Sequence, residues 1–346
     1  MGKSGKQAEF EIIRRNFATS ALSFPRAGVA LGIGDDAALI DVPAGRQLAM
    51  SMDVLVAGIH FPVDADPSLI ANRALAVNLS DLAAMGAQPL CFTLGLVLPD
   101  SDADWLAGFS AGLEPLARRY DCPLVGGDTS SGPLSISIQV QGLVEEGGAL
   151  RRSGARVGDR VYVSGTLGDA AIALLTLGLP SHLGEDFCLS VERPSQTCLD
   201  FFSDAYFKPQ PQIELALGAG HLFSSCIDLS DGLQGDLQHI LDSSELGAAL
   251  NLDALPYSDS ARCCTNDRNR QRAALFGGDD YGLCFTLAAA DSAELERIAH
   301  ELDVRISCLG ELVSGSGIRY HDSAGETVEI AAGAYQHFDR ERATGQ

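Results

Sequence analysis

A chain of 346 residues, 46% hydrophobic and 20% charged, has ordinary globular composition and is long enough for two cores, so two α/β domains are expected. Its 46 acids against 24 bases leave a net charge of −22, which argues against nucleic-acid and anionic-membrane partners and favours divalent cations wherever acids gather. The opening "MGKSGKQAEFEIIRR" lacks an apolar signal core, no run of ~18 uncharged apolar residues follows, and nine cysteines without a C-x-x-C pair read as reduced core thiols; a soluble cytoplasmic protein is expected.

Phe10, Ile13 and Phe17 recur at helical spacing, and the segments 29–42 and 47–56 read as strands. A helix is expected from Asp66 to Met85, with Asp66 as N-cap, Pro67 in the first turn and Gly86 as the stop. "LCFTLGLVL" (90–98) is a strand and "DADWLAGFSAGLEPLARRY" a helix capped by Asp102. "CPLVGGDTSSG" is a short strand ending in a turn, followed by the long alternating strand "LSISIQVQGLV". The boundary falls near "LRRSGARVGD", dividing 1–150 from 151–346. Beyond it, strands are expected at 160–165, 226–232, 281–287, 304–313 and 317–330, and helices at 168–178, 233–243 and 291–303. The stretches 181–210 and 262–272 read as connections.

Acids recur where strands give way to glycine-containing turns, the ends at which α/β proteins place binding groups. They are Asp35 and Asp36 in "LGIGDDAALIDV", Asp53 in "SMDVLVAGIHF", Asp128 in "LVGGDTSSG", Asp228 and Asp231 in "IDLSDG", and Asp279 and Asp280 in "LFGGDDYG". Asp81 shares one face of its helix with Ala74, Asn78 and Met85, so in that largely apolar row it should meet a cation or a donor. A single Asp in such a turn ordinarily caps a helix or makes an Asx-turn. A set of acids converging on one place would instead need Mg²⁺, which takes carboxylates, waters and phosphate oxygens. No P-loop or protein-kinase signature occurs; backbone N–H groups at 126–127, 277–278 and "SGTLGD" could cradle phosphate instead, with Arg151 and Arg152 supplying charge.

Seven segments in order, "GIGDDAAL", "DVLVAGIHF", "ALAVNLSDLAAMGAQP", "LVGGDTSSGPLSISI", "LRRSGARVGDRVYVSGTLGDAA", "IDLSDGL" and "GGDDYGLCFT", resemble the thiamine-monophosphate kinase family from about residue 9 to "AYQHF". The family shares the fold of aminoimidazole ribonucleotide synthetase and selenophosphate synthetase. The resemblance implies a two-domain α/β (α+β) architecture, an N-terminal sheet pairing with that of a second subunit in a homodimer, and a site between the domains. It also implies transfer from ATP to thiamine monophosphate, assisted by several Mg²⁺ ions and needing no general base. By position, Asp36, Ser51, Met52, Asp53, Asp81, Asp128, Asp228 and Asp231 resemble the family's metal ligands, with Asp35 beside them. Tyr120, Gly127, Asp128, Arg152 and Ser230 resemble its ATP contacts, and His60, Asp279 and Tyr335 its contacts to the acceptor.

Two positions depart from the family. Met52 stands where a hydroxyl residue is usual, and a thioether is a poor ligand for a hard cation, which leaves its backbone carbonyl. Asp279 stands where Glu is usual. The alternatives are a sibling enzyme using ATP on another small molecule, or a non-catalytic Mg-ATP binder. A selenophosphate synthetase would call for an early reactive cysteine, and no cysteine precedes Cys91.

Overall fold

The chain folds as two units in a computed structural model, in which residues 14–18 and 20–330 are described. One unit runs to Arg151 and also takes Leu177–Leu179 and Phe207–His221; the other holds Arg152–Thr176, Pro180–Tyr206 and the chain from Leu222 onward.

In the first unit, β1 (Val29–Leu31) and β2 (Leu39–Ile40) form a short ribbon. A four-stranded sheet follows, in the order β3 (Arg46–Val56), β6 (Ser135–Glu145), β4 (Gln88–Leu98), β5 (Leu124–Ser131), with only β4 and β5 parallel within it. Helix α1 (Pro67–Ala84) packs over β3 and β6, and α2 (Ala103–Arg119) packs on α1. Local chemistry sets both starts: Asp66 accepts from Ser68 N, and Asp102 accepts from Asp104 N and Trp105 N. Past α1 the chain turns at Gly86, whose φ is +63°. Ile70, Leu75, Leu79 and Leu82 of α1 are fully buried, as are Phe92, Ile136 and Ile138 of the sheet, each contributing roughly 1.5–3 kcal/mol of burial. The two helices approach so closely that a Cβ on Gly112 would lie 2.3 Å from the Ser68 carbonyl oxygen. The other face of β3 is bare, with Leu48, Met50, Met52 and Val54 exposed in alternation.

The second unit is built on a seven-stranded sheet. Its strands are β7 (Arg160–Ser164), β8 (Phe223–Asp228), β9 (Gly247–Asn251), β10 (Leu283–Leu287), β11 (Ile306–Val313), β12 (Gly317–His321) and β13 (Thr327–Val328). They run β13-β12-β9-β11-β7-β10-β8, all antiparallel except the β12–β9 pair. Around them lie α3 (Asp169–Leu177), α4 (Gln196–Phe207), α6 (Leu233–Ser244), α7 (Asp259–Cys264), α8 (Asp267–Phe276) and α9 (Ser292–Glu301); α5 (Ile213–Ala219) belongs to the first unit and packs on α1.

Several sequence expectations change. Of the stretches read as connections, 181–210 contains α4, and 262–272 overlaps the end of α7 and most of α8; β9 and α5 were not anticipated. The segment 317–330 is two short strands, and 29–42 is broken by an exposed turn at Asp35 and Asp36. Of the expected N-terminal helix, Arg14–Ala18 is helical, and its earlier residues lie outside the described ones. Among the described residues no helix is long and apolar enough to cross a membrane.

Candidate active site

The first group of acids forms where β3 crosses α1. Alternation along β3 turns Ser51 and Asp53 toward the helix and leaves Met52 on the far face, 57% exposed. Ser51 Oγ donates to Asp81 Oδ2 at 2.5 Å, and Asp53 N donates to Asn78 Oδ1 at 3.0 Å. The helix row that singled out Asp81 therefore faces β3, and its donor is the Ser51 hydroxyl. Burial and the adjacent Asp81 charge push the Asp53 carboxyl up to about 6, with Arg73 opposing them. Arg73 is buried on α1 and donates to the His60 carbonyl at 3.3 Å, so it ties the "AGIHF" turn to this group. His60 Nδ1 accepts from Val56 N at 3.0 Å, which leaves the imidazole proton on Nε2.

A second group lines a cleft of about 600 Å³ at β5, where Asp35, Asp36 and Asp128 share the wall with Thr93, Thr129 and the backbone of Gly126–Gly127. No Lys, Arg or His is among the described residues that line it. Asp35 and Asp36 are both exposed, and Asp36 N donates to Asp35 Oδ1 at 2.8 Å, a local bond to the next residue within the turn between two short strands. The apolar run around them therefore buries neither carboxylate. Gly127 has φ +152°, and a Cβ there would stand 1.9 Å from the Leu94 carbonyl oxygen, so only glycine lets the chain reach Asp128 in this register. One row of partners, Asp53–Ile138–Leu94–Gly127, crosses the sheet. It sets the β3 acids and Asp128 three strand spacings apart, about 14 Å.

In the second unit the antiparallel pairing of β8 with β10 opposes Asp228 and Leu283, which brings "IDLSDG" and "GGDDYG" side by side. Asp228 is buried, while Ser230, Asp231 and Asp279 are half-buried. Asp279 N donates to the Ser230 carbonyl at 2.9 Å, and Asp279 itself adopts φ +63°. Asp236 lies beneath this loop and accepts from Asp231 N at 3.1 Å; burial lifts its carboxyl to about 7, with the Arg152 charge drawing it down. The "SGTLGD" turn cradles an internal group: Gly168 N donates to both oxygens of Asp280, at 3.0 and 2.9 Å.

The expected acids thus fall into three groups. Among the described residues, no three His, Cys, Asp or Glu side chains gather closely enough to hold one metal between them. Tyr120 is buried at the end of α2, where its hydroxyl donates to the Pro211 carbonyl at 3.1 Å, a packing role that engages the phenol. Tyr335 lies outside the described residues. Arg73 and Asp236 were missed in the sequence, although Arg73 carried the same signal as Asp81, a charge inside an apolar helix, "LIANRALAVNLSDLAA".

Comparison with known proteins places this geometry in context. Residues 34–144 match the family model "AIR synthase related protein, N-terminal domain", and residues 156–323 match the corresponding C-terminal domain. A thiamine-monophosphate kinase of Escherichia coli (strain K12) is 42% identical over 330 residues, 95% of this chain and 98% of the relative. The crystal structure of thiamine-monophosphate kinase from Stenotrophomonas maltophilia K279a superposes with a TM-score of 0.79 at 40% identity, over 88% of this chain and 93% of that one. A further solved structure, "AaThiL complexed with AMPPCP and TMP", gives a TM-score of 0.71 at 26% identity, over 86% and 89% of the two chains.

Proposed function

The chain belongs to the thiamine-monophosphate kinase family, and from that premise we infer its activity: ATP-dependent phosphorylation of thiamine monophosphate to thiamine diphosphate. It is a phosphotransferase with a phosphate group as acceptor and ATP as co-substrate. The observation that carries this reading is the 42% identity that runs through nearly the whole of both chains. The family relative solved with AMPPCP and TMP supports the same pair of substrates.

The acceptor oxygen is already anionic near neutral pH, so the chain has no proton to remove before attack. Its task is to bring two polyanions together and hold them in line. Asp36, Asp53, Asp81, Asp128, Asp228 and Asp231 are proposed to hold Mg²⁺, with Ser51 beside Asp81 and Asp35 beside Asp36. The donor set fits a hard cation: oxygen donors only, with burial and the neighbouring Asp81 charge leaving the Asp53 carboxylate in need of a positive partner. Separate groups suit this ion, which binds through one or two carboxylates with the remaining positions taken by water and phosphate oxygens. When bound, Mg²⁺ supplies positive charge against the phosphates. Met52 enters this set only through its backbone, since its side chain lies on the other face of β3.

Gly127, Ser230 and Arg152 are proposed to contact the nucleotide, the first through a backbone that no side chain obstructs. His60 and Asp279 are proposed for the acceptor, with Tyr335 assigned by resemblance alone; Tyr120, whose hydroxyl is engaged, is not carried forward. We further propose a homodimer, supported by the bare apolar face of β3, and a cytoplasmic location.

The test is ADP release from Mg-ATP with thiamine monophosphate, with free thiamine, and with no acceptor. Release confined to thiamine monophosphate is expected. Release with free thiamine, or none with any acceptor despite nucleotide binding, would overturn the assignment.

A further inference from the structure

The two loops that carry the second unit's functional residues form one hydrogen-bonded body. Leu229 N donates to the Gly282 carbonyl at 2.8 Å, Asp279 N to the Ser230 carbonyl at 2.9 Å, and Tyr281 N to the Leu229 carbonyl at 2.8 Å. At each side of this body sits a carboxylate whose recorded bonds run to backbone N–H groups. Asp236, in the first turn of α6 and 2% exposed, accepts from Asp231 N at 3.1 Å and from the backbone N–H of Ser230. Asp280 accepts twice from Gly168 N and also from the backbone N–H of Ala170, both at the start of α3. Its neighbours Asp279 and Tyr281 hold φ +63° and +49°, a left-handed conformation that non-glycine residues keep only when their surroundings fix it.

The two anchors act on different atoms. Asp236 takes the N–H groups of Ser230 and Asp231, whereas the bond between the loops uses the Ser230 carbonyl. Asp280 is fixed to α3 between two residues whose backbones would otherwise relax away from the left-handed region. Neither group belongs to the set read above as touching substrate or cation.

Resting on the substrate assignment above, we propose that Asp236 and Asp280 are positioning residues for the two substrates of this enzyme. Asp236 sets Ser230 for the nucleotide and Asp231 for the nucleotide's cation, and Asp280 sets Asp279 for the thiamine monophosphate. A carboxylate suits both places because it accepts from several N–H groups at once. An asparagine offers one acceptor oxygen and an NH₂ that opposes the remaining donors.

The experiment is steady-state kinetics on the full chain at saturating Mg²⁺, with thermal melts alongside. The variants are Asp236→Ala, Asp236→Asn, Asp280→Ala, Asp280→Asn, Asp279→Ala and the double variant Asp279→Ala/Asp280→Ala. Asp280→Ala should raise the KM for thiamine monophosphate roughly ten-fold or more while the ATP KM stays within about two-fold; Asp236→Ala should do the reverse. Each asparagine variant should fall between alanine and the parent. The double variant should be no worse toward the acceptor than Asp279→Ala alone, because Asp280 acts through Asp279.

Both KM values moving together, additive losses in the double variant, or lowered melting temperatures with unchanged kinetic constants would each overturn the proposal. If an alanine variant fails to fold, the same split is read from its asparagine counterpart. An acceptor KM unmoved in Asp279→Ala would overturn the assignment of Asp279 itself, and Asp280's part with it. An acceptor KM raised by Asp279→Ala but unmoved by Asp280→Ala overturns the positioning role alone.

Discussion

Asp53 is held in the fold at a cost when no cation faces it. Its carboxyl sits up to about 6 instead of the ordinary 3.8 because burial and Asp81 both oppose its charge. A carboxylate raised in the folded state binds its proton more tightly there than in the unfolded chain. Its contribution to stability is therefore greatest below the unfolded value and is lost as pH rises through the folded one. In Mg²⁺-free buffer, Asp53→Asn should consequently be more stable than the parent near pH 7, by about 1–2 kcal/mol, and the gap should close near pH 4. Urea melts at the two pH values check this, and equal stabilities at both would remove the unfavourable charge. The same substitution should abolish turnover at saturating Mg²⁺, as should Asp128→Asn, since each deletes cation-holding charge with little change of shape. Near-normal activity in both variants would remove them from the cation set. Ser51, Met52 and Asp53 also mark how far the sequence could be read at this scale. Alternation alone separates Met52 from its neighbours once the strand's helix-facing side is known. The thioether that looked like a defective ligand is a surface residue on the opposite face.

At the scale of elements, legibility followed the locality of the signal. The starts of α1 and α2 were readable because Asp66 and Asp102 make their capping bonds within three residues. Helix α8 was not: its first part lies in "RCCTNDRNRQR" (262–272), which reads as a polar connection, yet the helix buries Asn269 and Arg270 together with Ala273, Ala274 and Phe276. Asn269 finds the Cys188 carbonyl and Arg270 the Thr265 carbonyl, partners supplied by the folded loops around them. Nor could the meeting of "IDLSDG" with "GGDDYG" be read, because it depends on the register of β8 against β10. The close contact of α1 with α2 gives a direct test of packing. Gly112→Ala would drive a methyl group into the Ser68 carbonyl, contact that only backbone movement relieves. A loss of about 1–3 kcal/mol in urea-melt stability is expected, the range for overpacking a tight core. A neutral or stabilising effect, as for an ordinary helical Gly→Ala, would show that the helices can separate freely.

At the scale of the whole molecule, the net charge of −22 and the grouped acids predict a stability that depends on cations. Millimolar Mg²⁺ should raise the melting temperature by binding the folded state alone, and an equal concentration of monovalent salt should raise it less. An identical response to both would reduce the effect to screening. Charge alone leaves one feature of the first unit unexplained. Its sheet has α1 covering one side, while on the other Leu48, Met50, Met52 and Val54 stand 37%, 56%, 57% and 45% exposed along edge strand β3. An antiparallel sheet with one solvated face ordinarily shows polar residues there, so four successive apolar ones argue for a covered face. The proposed homodimer supplies the cover, with the same row of each copy meeting its counterpart as a two-fold interface requires. Replacing Met50 and Met52 by lysine would place like charges opposite one another while sparing Ser51 and Asp53 on the other side of the strand. Sedimentation velocity should then show a dimer for the parent and a monomer for Met50→Lys/Met52→Lys, with the thermal melt of the substituted chain still cooperative. A parent that sediments as a monomer, or a doubly substituted chain that remains dimeric, would mean that this face is not where two copies join.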